Sequence, residues 1–540
     1  MLKMRKSHPD TLRHVSACFF SRRGTEEYAE DAGRKFFQKV FPSPFAEVLT
    51  KRAPSTKIKG KVEAFRLIVP PIGKRPLPHP TLRIQNRQPS RTKRLSLGPE
   101  RQFIMAHTSR RTFLKQGTLA ATTALAGFAA QSKVYAGETS VLKIGIIGCG
   151  GRGCGAVGDA MSIDPNIKLT HAADLFPEKV ANAMAALKEQ LGDRIAVTPE
   201  TMFSGFDGYK KVLESDVDIV FLTTPQFFRP QMLKEAIAAG KHVFAEKPVA
   251  VDGAGIRMIL EASEMARQKG LNLVSGLCNR YWPGTRDFVA KLQDGAIGDI
   301  IAAKANRMGG DLWKRPRREG DTEMSYQMLN WVNFCWMASE YINDVTIHQI
   351  DVALWCMGDP TPKSAMGMGG RLVRRGPDTG DMYDTMAVTY EFEDGRMLQA
   401  NSRQIPGAWS DASTWLYGSK GYAQIRNCAG NLEIFGPDPY KHREKYPMNG
   451  LQAEHKTLLD AIRSGGQTYV NNGQYMANST GACIMGRMAA YTGKVVTWED
   501  MLNDELPKPS ALDLNAVPPT LPNEQGKYKI AMPVVGWDFM

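Results

Sequence analysis

At 540 residues and 43% apolar composition, the chain can bury large cores, and its length points to two or three folding units. The formal net charge of +14 invites a search for nucleic acid or acidic membrane partners. The distribution of that charge excludes the argument for most of the chain, because residues 1–104 hold 23 Lys and Arg against 8 Asp and Glu and the remainder is close to neutral.

In chain order, segment 1–104 comes first. It carries eleven prolines, basic clusters such as Arg91-Thr92-Lys93-Arg94 and no sustained apolar period. Such a stretch buries too little surface to offset its chain entropy and is expected to be disordered. A nucleic-acid-binding arm is the competing reading; a solvated tail fits better, and no nucleic acid partner is expected. Met105 then opens a run with Arg110 and Arg111, a short apolar stretch from Thr118 to Ala130, and Val134-Tyr135-Ala136 before Gly137. This is the pattern of a signal peptide over 105–136, too short for a permanent membrane span. Ser109-Arg110-Arg111-Thr112-Phe113-Leu114-Lys115 resembles the twin-arginine export signal. The resemblance implies translation from Met105, residues 1–104 as a gene-model extension, the twin-arginine machinery as a partner, and a folded, exported, periplasmic protein. Seven of the eight cysteines follow Met105 with no C-x-x-C pair, so buried free thiols are expected and no metal site is indicated.

Residues 141–148 form a continuous β-rich apolar run, the signature of a central parallel strand. Gly148-Cys149-Gly150-Gly151-Arg152-Gly153 follows at once and matches G-x-G-x-x-G, a turn that lets backbone approach a pyrophosphate at a helix N-terminus. A second strand, Lys168 to Ala173, ends in Asp174, placed to accept hydrogen bonds from an adenosine ribose and to repel a 2′-phosphate, so NAD is expected over NADP. Strands at Asp218–Thr223 and His242–Ala245 and helices at Arg229–Ala239 and Gly253–Gln268 complete an alternation that predicts a doubly wound Rossmann domain over 141–270. Thr223-Thr224-Pro225 and Glu246-Lys247-Pro248 then open onto the ligand crevice at the carboxyl edge.

These motifs, above all Glu246-Lys247-Pro248, resemble the glucose-fructose oxidoreductase, inositol dehydrogenase and rhizopine catabolism (Gfo/Idh/MocA) family, over about Val141 to Asp500. The resemblance implies a nicotinamide cofactor held by the glycine turn, Asp174, Thr223, Thr224, Pro225, Glu246 and Lys247. It also implies Lys247 between nicotinamide and substrate, with a proline, often cis, behind it. One departure stands out: Gln226-Phe227-Phe228-Arg229 replaces the Asn or Asp and the later His usual after this Thr-Pro.

Ile342 to Trp355 is strongly helical in pattern, which puts Asp344 and His348 four apart on one face and Asp351 three further on. Oxidising a secondary alcohol requires removal of its hydroxyl proton, work suited to an imidazole tuned by a carboxylate. The D-x-x-x-H spacing matches the family's catalytic helix, so His348 is assigned as general base, Asp344 as its orienting partner or a substrate ligand, and Lys247 as electrostatic stabiliser and proton-relay member. Asp351 reads as a structural group or one that supports the catalytic residues from behind. Asn279, Arg280 and Tyr281 are expected to face substrate, and a Trp-, Met- and Arg-rich insertion from Trp313 to Trp336 either walls the pocket or packs between domains.

From Thr361 the pattern shifts to alternating strands and then to helices near Leu451–Arg463 and Tyr475–Tyr491. An α+β domain over 271–505 with an open, mostly antiparallel sheet is expected, then a Pro-rich strap over 506–540. By resemblance this domain builds homodimers or homotetramers. The leading function is hydride transfer between tightly bound nicotinamide and a carbohydrate. One alternative is a redox-neutral glycosidase that oxidises, eliminates and reduces again, as some relatives do; another is a binding module that merely retains the nucleotide.

Overall fold

The computed structural model describes residues 140–426 and 430–532. The basic segment 1–104, the signal-like stretch 105–136 and the last residues of the strap lie outside the described residues. Among those described, no helix is long and apolar enough to cross a membrane, and no cluster of His, Cys, Asp and Glu could hold a metal ion.

Six parallel strands form the first sheet: β1 (Leu142–Ile147), β2 (Ile167–Asp174), β3 (Met202–Ser204), β4 (Ile219–Leu222), β5 (His242–Ala245) and β6 (Leu273–Ser275), in the order β3-β2-β1-β4-β5-β6. That is the order of a dinucleotide-binding sheet, in which the strand succession reverses between β1 and β4. In β1 every residue except Lys143 is buried, so the run is apolar because helices cover both faces. The domain is not contiguous in sequence, which corrects the expected boundaries. Strand β6 extends it beyond residue 270. The helix Gly450–Arg463, expected to close the second domain, instead drives Leu458, Leu459 and Ile462 into the core that β1 and β2 build. Asn471 then pairs with Leu273 at the sheet edge.

The second sheet has nine strands: β7 (Ile300–Gly309), β8 (Ser364–Gly370), β9 (Thr385–Glu391), β10 (Met397–Gln404), β11 (Asp411–Gly418), β12 (Tyr422–Arg426), β13 (Asn431–Phe435), β14 (Tyr440–Lys441) and β15 (Val496–Thr497). Their order is β14-β13-β12-β11-β7-β10-β9-β8-β15, antiparallel except where β7 lies parallel to β10. The helices Ile347–Cys356 and Gly473–Thr492 cover one face. On the other face the pairing Met397–Ala302–Tyr417–Tyr422–Phe435 lines up a single row, and four of those five side chains are large, apolar and exposed.

The insertion after β7 packs as a small aromatic core around Tyr326, Phe334 and Trp336, joined by Phe176 and by Phe227 and Phe228 of the first domain. The C-terminal strap ties it down: Gln327 Nε2 donates to Thr520 O at 2.7 Å, and Tyr528 OH donates to Glu323 while accepting from Arg317.

Candidate active site

The glycine turn is shaped by two close approaches. Gly148 has φ +99°, and a Cβ there would lie 2.7 Å from the backbone of Thr223; a Cβ on Gly153 would meet Gly148 O and lie 2.7 Å from Thr223 Oγ1. Thr223 Oγ1 donates to Gly148 O at 2.7 Å, bracing the turn from β4. Gly150 and Gly151 face open space, and the helix Gly151–Ile163 that they begin has no side-chain cap. Open backbone at an uncapped helix N-terminus is what a dinucleotide pyrophosphate requires, so the residues present fit that group.

Beside the turn is a cavity lined by Gly148, Gly150, Asp174, Lys179, Thr223, Thr224 and Pro225, with Phe228, Met328 and Trp331 among its walls. The Asp174 carboxylate accepts from Cys149 N at 2.8 Å and from Phe176 N at 3.2 Å, so it fastens the turn as well as facing the cavity. Met328 and Trp331 belong to the insertion, which therefore walls the cavity beside the glycine turn. Cys149 itself is buried, with its thiol towards Ala173 O. Arg152 turns away from the turn to pair with Glu246, with Glu454 at 3.0 Å and with Asp159 at 3.5 Å. Glu246 is 4% exposed and also accepts from Lys247 N, so it supports the site from beneath.

Lys247, Asp344 and His348 converge at the carboxyl edge of β5. The Lys247–Pro248 peptide bond is cis, and Lys247 Nζ donates to Asp344 O at 2.6 Å. The predicted helix begins differently from expectation: Ile342–Thr346 is a π-turn, and the α-helix starts only at Ile347. The wider turn rotates Asp344 away from the i, i+4 alignment with His348. Its carboxylate instead accepts from Gln226 Nε2 at 2.9 Å, and His348 Nδ1 is buried without a partner among the described residues. Asp344 as the hydrogen-bonded orienter of His348 is thus corrected. The imidazole is pushed well below its ordinary pKa, first by burial and then by the charges of Lys247, Arg307 and Arg152, which keeps it neutral and able to accept a proton.

The π-turn leaves a strained start. Ser339 (φ 56°) and Glu340 (φ 93°) both occupy the left-handed region although neither is glycine. The Glu340 carboxylate, 1% exposed, is locked by Tyr341 N at 2.8 Å, Tyr491 OH at 2.7 Å and Tyr383 N. Asn343 adds bonds to Ala250 O and Ala338 O.

The expected substrate contacts fare differently. Arg280 is 7% exposed: it grips Asp351 with Nε at 2.9 Å and Asp359 with Nη2 at 2.6 Å, and stacks 4.0 Å from the Tyr475 ring. Tyr281 is buried and bonds to Asn472 and Tyr475, and Asn279 is 1% exposed. The 3-10 turn Cys278–Tyr281 points these side chains inward, so they are packing and ion-pair residues. Asp351 is buried, paired with Arg280 and also held by Ser479 Oγ at 2.8 Å.

Sequence reasoning passed over several residues. Gln226, noted only as a departure, is the partner of Asp344. Arg229 lies beneath it, 4% exposed, donating to Pro248 O, with burial lowering its pKa to about 10. Arg307 on β7 belongs to no motif; only the sheet register brings it to the site.

Comparison with known proteins agrees with this architecture. Residues 142–277 match the model of the oxidoreductase family with an NAD-binding Rossmann fold, GFO_IDH_MocA, and residues 286–424 match the same family's C-terminal domain, together about half of the chain. The chain is 24% identical over 228 residues to 2,7-anhydro-N-acetylneuraminate hydratase of Escherichia coli, covering 41% of this chain and 55% of that protein. It is 29% identical over 221 residues to inositol 2-dehydrogenase of Pseudomonas fluorescens, covering 40% and 55%. The match therefore spans little more than half the length of these curated relatives. Aldose-aldose oxidoreductase from Caulobacter crescentus shares the fold, with a TM-score of 0.52, 18% identity, and coverage of 66% of this chain and 99% of that one. With the parallel sheet, the glycine turn and the second sheet in place, the chain belongs to the Gfo/Idh/MocA oxidoreductase family.

Proposed function

We propose that this protein transfers hydride between a retained nicotinamide dinucleotide and a hydroxyl-bearing carbon of a carbohydrate. The convergence of Lys247, Asp344 and His348 at the crevice of a dinucleotide-binding sheet carries the proposal. The bound nicotinamide would supply the hydride acceptor. The neutral His348 takes the hydroxyl proton, and Lys247 stabilises the oxygen as negative charge develops on it. Asp344, held by Gln226, keeps its backbone carbonyl on the Lys247 amine and so fixes where that amine points. Asp174 at the ribose end favours NAD over NADP.

A second reading has its own support. Met328 and Trp331 wall the cavity beside the glycine turn, and the strap pins the insertion that carries them. A cofactor so enclosed suits a redox-neutral cycle in which hydride is borrowed and returned, and the hydratase relative is named for a reaction without net oxidation. Heating the purified protein and assaying the supernatant for nucleotide tests retention; an empty protein that needs added NAD contradicts it. Incubation with a panel of aryl glycosides separates the two chemistries, since phenol release without net NADH marks the redox-neutral route.

Export through the twin-arginine machinery to the periplasm remains part of the proposal, tested by mass spectrometry of the native N-terminus and by cell fractionation. The exposed row on the second sheet, with Tyr422 stacked on Phe435 at 4.7 Å, supports pairing with a second copy, which light scattering in solution tests.

A further inference from the structure

The substrate's charge is legible in Arg307. Alternate residues of β7 share a face, so Ala303, Ala305 and Arg307 all point towards the helix Ile347–Cys356. The two alanines are buried beneath it. Arg307 comes one step further, opposite Ser402 on β10, and Ser402 Oγ lies 2.9 Å from Thr346 Oγ1 in the π-turn of the site. This register puts Arg307 beside the start of the catalytic helix, where its charge and that of Lys247 both reach the His348 imidazole.

What Arg307 lacks is a countercharge. Arg152, Arg280, Arg374 and Arg487 each meet a carboxylate, whereas Arg229, buried beneath Gln226, is closed off on the Pro248 carbonyl. Arg307 forms no salt bridge with any described residue; its side-chain partner is the Tyr341 phenol. Lys247 likewise has only a backbone carbonyl, and Asp344, the carboxylate that shares this end of the crevice, is bonded through Oδ1 to the Gln226 amide. Two cations without a carboxylate partner beside one buried imidazole are costly unless an anion completes them.

We infer that the substrate is an anionic sugar whose carboxylate is taken by Arg307, with the reacting hydroxyl then falling between Lys247 and His348. The planar five-donor fork of arginine suits a carboxylate better than it suits a neutral ring, where single hydroxyls would leave most of its donors unmet. The inference rests on the active-site reading above and narrows its substrate class.

The test uses the nucleotide-loaded full-length protein, titrated with D-glucuronate, D-galacturonate and their neutral counterparts D-glucose and D-galactose, with bound nicotinamide absorbance and fluorescence as readouts. At least one uronate is expected to bind tenfold or more tighter than its neutral counterpart. Arg307→Ala should erase that preference to within twofold while leaving nucleotide content unchanged, and Arg307→Gln, which keeps the side chain's size, covers the case where the alanine variant does not fold. Neutral sugars that bind as well as the uronates, no uronate binding at all, or an Arg307 variant that weakens both classes equally overturns the inference. Lys247→Ala separates the two levels. If it silences the nicotinamide response to every sugar while Arg307 proves indifferent to charge, the active-site reading stands and only the anionic class falls.

Discussion

Two polar clusters flank the same stretch of chain, and they are finished to different degrees. At Arg280, Asp351, Asp359 and Ser479 every charge meets its opposite, and no side-chain atom of the four is buried without a partner. At Lys247, Gln226, Asp344 and His348, one turn away along the helix, the amine rests on a carbonyl, and Gln226 Oε1, Asn343 Oδ1 and His348 Nδ1 are buried and unpaired. Buried polar groups left unsatisfied cost stability, so a fold keeps them where something else benefits. The saturated cluster is built for packing, and the unfinished one is the seat of the chemistry we propose.

Substitutions in the two clusters should therefore fail in different ways. The largest effect is expected for Lys247→Ala, a loss of roughly 10³-fold or more in hydride transfer, about 4 kcal/mol, with nucleotide content and melting temperature little changed. Loss of the fold in that variant would erase the contrast between the clusters. Arg280→Ala should do the reverse: it strands Asp351 without its cation and lowers stability by about 3–5 kcal/mol in denaturant titration, while turnover per folded molecule persists. Next comes acid sensitivity. Burial lowers His242 to about 4 from its ordinary 6.5 and pushes His348 and His455 well down. Above pH 6.5 both folded and unfolded imidazoles are neutral and cost nothing; as pH falls towards the folded value only the unfolded state takes up the proton, so stability drops, by on the order of 3 kcal/mol for His242. Melts at pH 7 and pH 4.5 check this, and a flat profile rules it out.

The smaller effects sharpen the picture. Glu340→Gln puts an amide where the carboxylate accepts three bonds, and about a tenfold fall in turnover is expected as the strained entry to the π-turn loosens. Unchanged turnover with a lowered melting temperature would make Glu340 merely structural. Gln226→Leu, which frees Asp344, is expected to cost about 1–2 kcal/mol of transition-state stabilisation, read as kcat/KM.

How much of this was legible beforehand follows from what each signal encodes. The glycine turn, Asp174 and Glu246-Lys247-Pro248 are local motifs, and the strand His242–Ala245 was read residue for residue because apolar runs bounded by turns mark buried strands. Strands β7 and β8 were missed because their small, polar and glycine-rich sequences show no clean alternation. Helical spacing predicted Asp344 against His348, yet a π-turn carries no periodic signature and redirected the carboxylate. Arg280 and Tyr281 were misread because a charged and a phenolic residue after a strand look the same whether they face a ligand or a buried aspartate. Arg307 and the helix Gly450–Arg463 reach their places only through long-range pairing, which no local window contains.

The most direct test is the crystal structure of the protein loaded with NAD. The account predicts the nicotinamide C4 edge within about 4 Å of both the Lys247 amine and the His348 imidazole, the separation that near-attack geometry requires. A nicotinamide ring seated elsewhere, or one whose C4 faces the saturated Arg280–Asp351 cluster, contradicts it.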